Sequence, residues 1–481
     1  MADPSAEDWY ASGCAWLARE IYPEALACFD RAAALAPDSG TAIHNAGTAA
    51  FNLGLIDEAI GCFRRSLAAH DSFLPRTAIA TLIPGSPAAD HAVVLAARRD
   101  WFETHLPPAP AAPSRRVIDP GSRPRIGYLS SFFQSRNWMK PVWSLVNEHD
   151  RQAFDIHLIS DCAASMCDGY VANERDTFHD ISKLSNRDVA ARIAQAGIDI
   201  LVDLNGFSRV TRLAVVAQRP APIQIAWFNL YATSGTTCFD YLIGDHQVVA
   251  PEEEPFYTET IVRVPGSYLT FRVNYPVPDV VDAPALTAGY VTFGCLASQY
   301  KITPPVVEAW ARILRRSPHA KLLLKNAALA HDANREHLSR RFHEHGVTPD
   351  RLVFEGPAEH YDFLAAYSRI DVALDTFPYN GGTTTSEALW QGVPVLAFRG
   401  DRWASRTSAS ILMAAGLDTL VGRDLEDYVE RAVRLANDPQ TPQHLDIERR
   451  EMRHRLLTST VCDTAGFARA MENISRQLVG S

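Results

Sequence analysis

The stretch from Asp371 to Ile411 constrains the fold of this 481-residue chain more than any other segment. It reads DVALDTFPYNGGTTTSEALWQGVPVLAFRGDRWASRTSASI, which predicts strand, glycine-rich loop, helix, strand and helix. The loop with Gly381 and Gly382 leads directly into the first helix. It predicts either an ordinary turn with a helix cap or an anion site, because free N–H groups and the helix dipole attract negative charge. Its place at the carboxyl end of a strand favours the anion site.

Other strands and helices alternate in two groups. The first group of strands comprises Arg125–Leu129, Phe154–Ile159, Ile198–Leu204 and Ile223–Phe228, and the second comprises residues 290–294, 320–325, 351–356, 371–376 and 393–398. Helical patterns include Asn137–Glu148, Asp188–Ala196, Pro304–Leu314, Ala404–Ala414 and Gly466–Val479. Such alternation predicts two α/β domains with mostly parallel sheets. A cleft between two such domains suits a nucleotide and a second substrate.

A repeat precedes these domains. Three residues of the first unit recur 34 residues later: Gly13, Ala25 and Phe29, then Gly47, Ala59 and Phe63. The period and residue types resemble the tetratricopeptide repeat. Such units need neighbours to cover their faces, and Ala88–His105 is predicted to supply a third helical unit. The region is either a structural cap or a docking surface for a protein.

A proline- and alanine-rich stretch, Pro107–Pro124, predicts a semi-rigid connector. The predicted domains are therefore an all-α segment at 1–106, a linker at 107–124, and α/β domains at 125–285 and 286–481. The last domain includes the terminal helix.

Charge and composition exclude several classes of protein. The formal net charge is −10, which argues against nucleic-acid binding. Neither a membrane-spanning apolar run nor a basic and apolar leader is evident in the sequence. The eight cysteines form no C-x-x-C pair, which favours free thiols over disulfides or zinc. We therefore expect a cytoplasmic protein without nucleic-acid or membrane partners.

Polar residues at predicted strand ends are candidates for chemistry. They are Ser130, Ser131 and Arg136 after the first strand, and Asp203, Asn205 and Gly206 after another. Lys301 lies in a loop before a helix, where it is either a surface lysine or a partner for a diphosphate. The sequence contains no Asp-x-Asp triplet, which argues against a metal-held diphosphate. Cationic groups and N–H donors would then stabilise a leaving phosphate.

Together these segments resemble the O-GlcNAc transferase family of nucleotide-sugar glycosyltransferases, particularly its bacterial members. The segments that carry the resemblance are RIGYLSSFF (125–133), GIDILVDLNGF (197–207), RPAPIQIAWF (219–228), QYKI (299–302), ALDTFPYNGGTTTSEALWQGVPV (373–395) and ASRTSAS (404–410). The resemblance covers nearly the whole chain. It implies a GT-B fold of two Rossmann-like domains, with 125–285 on the acceptor side and 286–481 on the donor side, behind a tetratricopeptide segment.

The family activity implied is metal-independent, inverting transfer of GlcNAc from UDP-GlcNAc to Ser or Thr hydroxyls of proteins. The nucleotide sugar is a substrate, and no cofactor is expected. The resemblance implies that the repeats dock the acceptor protein, and it leaves the oligomeric state open.

The resemblance assigns roles to individual residues. The catalytic assignments are Lys301 at the diphosphate, His360 near the donor or base, and Arg136 after the first strand. The donor-binding assignments are Gly381, Gly382, Thr383, Thr384, Asn380, Ser298, Arg406 and, at the ribose hydroxyls, Glu387. Asn205 and Phe207 are assigned to the acceptor side.

Two departures from the family pattern concern the acceptor side. Relatives carry histidines where this chain has Arg136 and Phe207. Arginine cannot act as a base at neutral pH, although it can bind a diphosphate or another acidic group. Two alternatives therefore stand beside the GlcNAc transferase: a catalytically weakened nucleotide-binding scaffold acting through its repeats, and a transferase using another donor such as GDP-fucose.

Overall fold

The computed structural model describes residues 3–114, 122–135, 138–162 and 169–480. Contacts divide the chain into two compact units. The first unit combines Met1–Ala89 with Tyr275–Leu456, and the second combines Asp90–Asn274 with Leu457–Ser481. This grouping differs from the domains predicted along the sequence, because each unit gathers segments that are distant in the chain. Arg136, which was predicted to be catalytic, lies outside the described residues.

Five helices form the amino-terminal part of the first unit. They are α1 (Ala6–Ala18), α2 (Tyr22–Leu35), α3 (Gly40–Asn52), α4 (Ile56–Ala69) and α5 (Phe73–Leu82). A Cβ atom at Gly13 would lie 2.6 Å from the ring of Phe29, and one at Gly47 would lie 2.8 Å from the ring of Phe63. Each repeat therefore packs an aromatic ring directly on a glycine. This packing agrees with the 34-residue pattern.

The helix predicted at Ala88–His105 is present, but it is assigned to a different compact unit from the repeats. Helix α5 packs on α4 instead, and α6 (His91–His105) belongs to the second unit. The physical reason is that α6 buries Trp101 and Phe102 against Phe207 of that unit.

Replacing Gly47 with alanine is expected to destabilise the first unit by roughly 1–3 kcal/mol, because the new methyl group would overpack the Phe63 ring. The matched control is Gly61→Ala in α4, where an added Cβ meets no atom within 4 Å. That change should stabilise the helix by about 0.5–1 kcal/mol. Thermal unfolding of the two variants measures both effects. Equal melting temperatures would contradict the packing described.

Seven parallel strands form the sheet of the second unit in the order β3-β2-β1-β4-β5-β6-β7. They are β1 (Arg125–Ser130), β2 (Asp155–Ser160), β3 (Thr177–Asp180), β4 (Ile200–Asp203), β5 (Ile223–Ala226), β6 (Tyr241–Gly244) and β7 (Thr260–Arg263). Its helices include α7 (Lys140–Val146), α8 (Asn186–Gln195), α9 (Leu213–Val216) and the C-terminal helix (Thr464–Gly480). Strands β1, β2, β4 and β5 confirm the predicted ones.

A buried polar network attaches the C-terminal helix to the second unit. Glu472 accepts a hydrogen bond from the backbone N–H of Asp150 at 2.8 Å and lies 3.1 Å from Nδ1 of His149. The other ring nitrogen of His149 lies 2.6 Å from the hydroxyl of Tyr128 on β1. Burial lowers the pKa of His149, which favours the neutral ring.

Six parallel strands form the sheet of the first unit in the order β10-β9-β8-β11-β12-β13. They are β8 (Thr292–Cys295), β9 (Lys321–Lys325), β10 (Leu352–Glu355), β11 (Val372–Leu374), β12 (Val395–Phe398) and β13 (Val421–Gly422). The helices are α10 (Ala285–Ala288), α11 (Pro304–Arg316), α12 (Asp332–Glu344), α13 (His360–Ala365), α14 (Thr383–Trp390), α15 (Thr407–Ala414), α16 (Leu425–Asn437) and α17 (Thr441–Leu457).

The sheet topology of the first unit brings two loops together. Strands β8 and β11 are parallel neighbours, so their carboxyl ends share one edge of the sheet. The loop after β8 carries Lys301, and the loop after β11 carries the glycines at 381 and 382. The fold therefore places the two predicted anion-binding segments side by side. Two parallel α/β sheets and a helical front segment confirm the predicted fold class.

Candidate functional site

The loop after β11 is braced by its own polar groups. Asp375 accepts a hydrogen bond from the backbone N–H of Gly381 at 2.9 Å. The side-chain amide of Asn380 donates to the carbonyl of Thr376 at 2.6 Å, and its backbone N–H donates to the carbonyl of Ala404 at 2.9 Å. These bonds hold the glycine-rich turn in one shape at the start of α14.

Helix α14 begins immediately after Gly382, and no side chain caps its first turn. The first N–H groups of a helix have no partner within the helix. Thr383 and Thr384 stand in this first turn and are partly exposed. The hydroxyl of Ser408 on α15 donates to the carbonyl of Gly381 at 3.0 Å, which fixes the turn from the other side. The geometry is that of an anion site at a helix start.

Lys301 meets this loop from the β8 side. Its ammonium donates to the carbonyl of Asn380 at 2.7 Å and lies 4.1 Å from the centre of the Tyr379 ring. Burial lowers the pKa of Lys301 to about 8, against the attraction of Asp375 and Cys295. The group is therefore mostly protonated at neutral pH. A cation held beside the first turn of α14 suits a phosphate.

Asp375 also belongs to the candidate site, although it was not predicted from the sequence. Its carboxyl group is buried, and burial raises its pKa to about 6. It orients the glycine-rich turn through Gly381 and attracts the charge of Lys301. Its place directly after a buried strand was the signal that could have found it.

Glu387 and His360 come together although 27 positions separate them in the sequence. Nε2 of His360 lies 3.7 Å from a carboxylate oxygen of Glu387. His360 opens α13 and packs against Tyr275, with ring centroids 5.5 Å apart. The buried Tyr367 donates to the carbonyl of Thr384 at 3.0 Å, which ties the segment after α13 to the start of α14. A carboxylate here can accept hydrogen bonds from hydroxyl groups of a ligand.

Two other predicted donor residues have different surroundings. Ser298 is exposed, and its carbonyl accepts the backbone N–H of Lys301 at 3.0 Å. Arg406 is buried, and its Nε donates to the carbonyl of Gly400 at 2.7 Å. These contacts brace the loops on which they lie, and their roles toward a donor stay predictions.

The predicted acceptor-side residues belong to the second unit and pack inward. The side chain of Asn205 accepts the backbone N–H of Ser131 at 2.7 Å and donates to Asp203 at 3.2 Å. Burial raises the pKa of Asp203 to about 6. Phe207 is buried, with the guanidinium of Arg98 lying 4.3 Å from its ring centre. The acceptor role of Asn205 and Phe207 stays a prediction.

A strained loop after β5 was also missed by the sequence analysis. Phe228 and Tyr231 have φ angles of 76° and 56°, in the left-handed region that non-glycine residues rarely adopt. Asn229 between them donates to the carbonyl of Asn205 at 3.0 Å. Backbone strain of this kind clusters at functional sites. The sequence offers no local signal for it, since none of these residues is a glycine.

No group of three or more His, Cys, Asp or Glu side chains that could hold a metal ion occurs among the residues described. The same part of the chain contains no helix with the length and apolar character needed to cross a membrane.

The sequence profile of the family described as Glycosyl transferase family 41 matches residues 104–272 and 269–471. The chain belongs to this family. A probable UDP-N-acetylglucosamine-peptide N-acetylglucosaminyltransferase SPINDLY of Solanum lycopersicum is 32% identical over 389 residues, which is 79% of this chain and 42% of that protein. The UDP-N-acetylglucosamine-peptide N-acetylglucosaminyltransferase of Caenorhabditis elegans is 25% identical, over 76% of this chain and 41% of that protein. The matched part of this family 41 chain thus spans about two-fifths of the length of these relatives.

A solved structure extends the likeness to the whole fold. A mutant O-GlcNAc transferase from Thermobaculum terrenum superposes with a TM-score of 0.86 at 30% sequence identity. The match covers 98% of this family 41 chain and 90% of that chain. The predicted GT-B architecture, with two Rossmann-like domains behind a helical segment, is thereby confirmed.

Proposed function

We propose that this family 41 chain is a glycosyltransferase that transfers a sugar from a nucleoside diphosphate sugar to Ser or Thr hydroxyls of proteins. UDP-GlcNAc is the proposed donor, because the relatives' names contain it. The observation that supports the proposal most is the hydrogen bond from the Lys301 ammonium to the carbonyl of Asn380, in the glycine-rich turn before α14.

Lys301 and the start of α14 favour the step in which the nucleotide departs. When the bond between the sugar and the diphosphate breaks, negative charge develops on the leaving phosphate. The ammonium of Lys301 neutralises that charge, and the free N–H groups at the start of α14 donate to the phosphate oxygens. This stabilisation needs no metal ion and no cofactor. Asp375 supports it indirectly by holding Gly381 in place.

Recognition of the nucleoside falls to Glu387 in this proposal. Its buried carboxylate accepts hydrogen bonds from the ribose hydroxyls, and His360 at 3.7 Å keeps it oriented. The acceptor hydroxyl attacks the anomeric carbon from the face opposite the departing phosphate, which inverts the configuration. Its proton leaves to a donor phosphate oxygen or to water.

Two further points remain proposals. The tetratricopeptide helices α1–α5 dock the protein acceptor, and the protein acts in the cytoplasm.

The second candidate function is a nucleotide-binding scaffold with weakened catalysis. It is favoured by Phe207, which stands at a family histidine position and is buried against Trp101 and Phe102.

The deciding experiment measures both nucleotide release and sugar transfer. The protein is incubated with UDP-GlcNAc or GDP-fucose, with and without a mixture of Ser- and Thr-rich peptides. Released nucleotide and the mass added to the peptides are then recorded, and binding of UDP and GDP is measured in parallel by calorimetry. The proposal expects UDP release and a mass gain of one N-acetylhexosamine. Fucose addition would change the donor only, whereas nucleotide binding with neither release nor transfer would establish the scaffold.

Alkaline pH is expected to weaken UDP binding. The pKa of Lys301 is lowered to about 8, so the charged fraction falls about tenfold between pH 7 and pH 9. If only the ammonium form binds the diphosphate, the Kd rises by the same factor, about tenfold, through linkage. Calorimetric titration across this range measures the change. Lys301→Arg is the control, since arginine keeps its charge and its affinity should stay level. A wild-type Kd independent of pH would contradict the assignment.

A further inference from the structure

The second tetratricopeptide unit contacts the segment that carries Lys301, within the first compact unit of the fold. The turn between α3 and α4 approaches it backbone to backbone at Gly54. An added Cβ there would lie 2.4 Å from the carbonyl oxygen of Ile302 and 3.0 Å from that of Gln299. Gly54 also has a φ of 82°. Only glycine permits both this conformation and this approach.

An aromatic series leads from this contact to the ammonium group. The ring of Phe51 on α3 stacks on Tyr300, with centroids 4.9 Å apart and planes 23° apart. Tyr300 in turn lies 6.1 Å from Tyr379 between ring centroids. The face of Tyr379 supports the Lys301 ammonium at 4.1 Å. Each ring therefore limits the position of the next.

The end of the helical segment supports the same tyrosine from another direction. A Cβ at Gly85 would lie 3.6 Å from the Cβ of Tyr379, which is ordinary van der Waals contact. The carbonyl of Ser86 accepts a hydrogen bond from Arg402 at 3.2 Å, which anchors this end to the loop after β12. Tyr379 thus lies against the end of the helical segment and is linked to its second repeat through Tyr300.

We propose that Phe51 is a positioning residue for the transferase reaction: by stacking on Tyr300, the second repeat keeps the Tyr379 ring and the Lys301 ammonium placed for the donor diphosphate. The inference rests on the proposed function. It makes the repeat helices a structural part of the donor site in addition to any docking role. A cation over an aromatic ring is stabilised most when both are desolvated, so a gap beside Tyr300 that lets water in weakens the arrangement.

The test compares UDP affinity by calorimetry in Phe51→Leu and in the matched control Phe63→Leu. Both remove an aromatic ring from the second repeat, but the ring of Phe63 packs on Gly47, whereas the ring of Phe51 stacks on Tyr300. Phe51→Leu is expected to raise the Kd for UDP about fivefold. Phe63→Leu should lower the melting temperature and leave the Kd within about twofold of wild type, since additivity holds for separate sites. Phe51→Tyr should restore affinity.

A double-mutant cycle separates positioning from general loosening. In a Lys301→Ala background, Phe51→Leu should cause no further loss of affinity, because its effect acts through the ammonium. Additive losses would overturn the inference, and so would equal weakening by Phe63→Leu. Weakening by Lys301→Ala with no effect of Phe51→Leu would overturn the inference and leave the proposed function standing. A wild-type protein that binds no UDP would overturn both.

Discussion

Lys301→Ala is expected to lower turnover at saturating donor by about 10²–10³-fold, the typical cost of removing one preorganised group that stabilises developing charge. The ammonium is held by the Asn380 carbonyl and the Tyr379 ring before any ligand arrives. Little reorganisation is then needed when the phosphate departs. In the alanine variant, the N–H groups of α14 remain as hydrogen-bond donors to the phosphate, so the donor still binds, although more weakly. The larger effect is on the rate at which the nucleotide departs.

Initial rates of UDP release measure this effect. The matched control is Lys321→Ala, because Lys321 also lies over a tyrosine, at 5.1 Å from the ring centre of Tyr290, but at the amino end of β9. Its loss should leave turnover unchanged. Lys301→Arg should retain part of the rate, since the charge is kept but the guanidinium has a different shape. Retention of full turnover by Lys301→Ala would contradict the assigned role.

Glu472→Ala is expected to lower the free energy of unfolding of the second unit by roughly 3 kcal/mol, because the His149 and Asp150 donors both lose their acceptor and each unsatisfied donor costs about 1–3 kcal/mol. The change removes the acceptor of the Asp150 N–H and the partner of His149, both inside the protein. The C-terminal helix loses its polar anchor as a result. Urea unfolding measures the change. The control is Asn473→Ala, an exposed neighbour on the same helix, which should stay within about 0.5 kcal/mol of wild type.

The effect of Glu472 depends on pH in a defined direction. Burial alone would raise its pKa, but hydrogen bonds from His149 and Asp150 outweigh burial and lower it. A lowered pKa means that the carboxylate stabilises the fold above its ordinary value of about 4.3 and loses this contribution as the pH falls further. The difference between wild type and Glu472→Ala should therefore shrink in acid. A difference that grows below pH 4 would contradict the network.

Periodicity in the sequence predicted the framework because each element carries its own pattern. The 34-residue spacing of glycine and phenylalanine requires paired helices, since the glycine admits the ring. Strands β1, β2, β4 and β5 are apolar runs buried on both faces, which a parallel sheet requires. Strand β3 was missed because its TFHD sequence is mostly exposed at the sheet edge, and β13 because it has only two residues.

Local motifs also predicted much of the donor site. Lys301 and the glycines before α14 follow neighbouring parallel strands, so the topology alone brings them together. The Phe51–Tyr300 contact could not be predicted, because it joins residues 249 positions apart through packing of separate elements. The packing of Phe207 against α6 could not be predicted for the same reason, because it depends on contacts with Trp101 and Phe102 of that helix.

The proposed nucleotide-sugar site is tested by a calorimetric titration of wild type and Lys301→Ala with UDP, GDP, UDP-GlcNAc and GDP-fucose. Wild type is expected to bind UDP and UDP-GlcNAc in preference to the guanosine ligands. Lys301→Ala is expected to weaken the binding of both by about 10–100-fold, the contribution of one charged hydrogen bond. Failure of wild type to bind any of the four ligands would contradict the assignment of a nucleotide-sugar site to Lys301 and the start of α14.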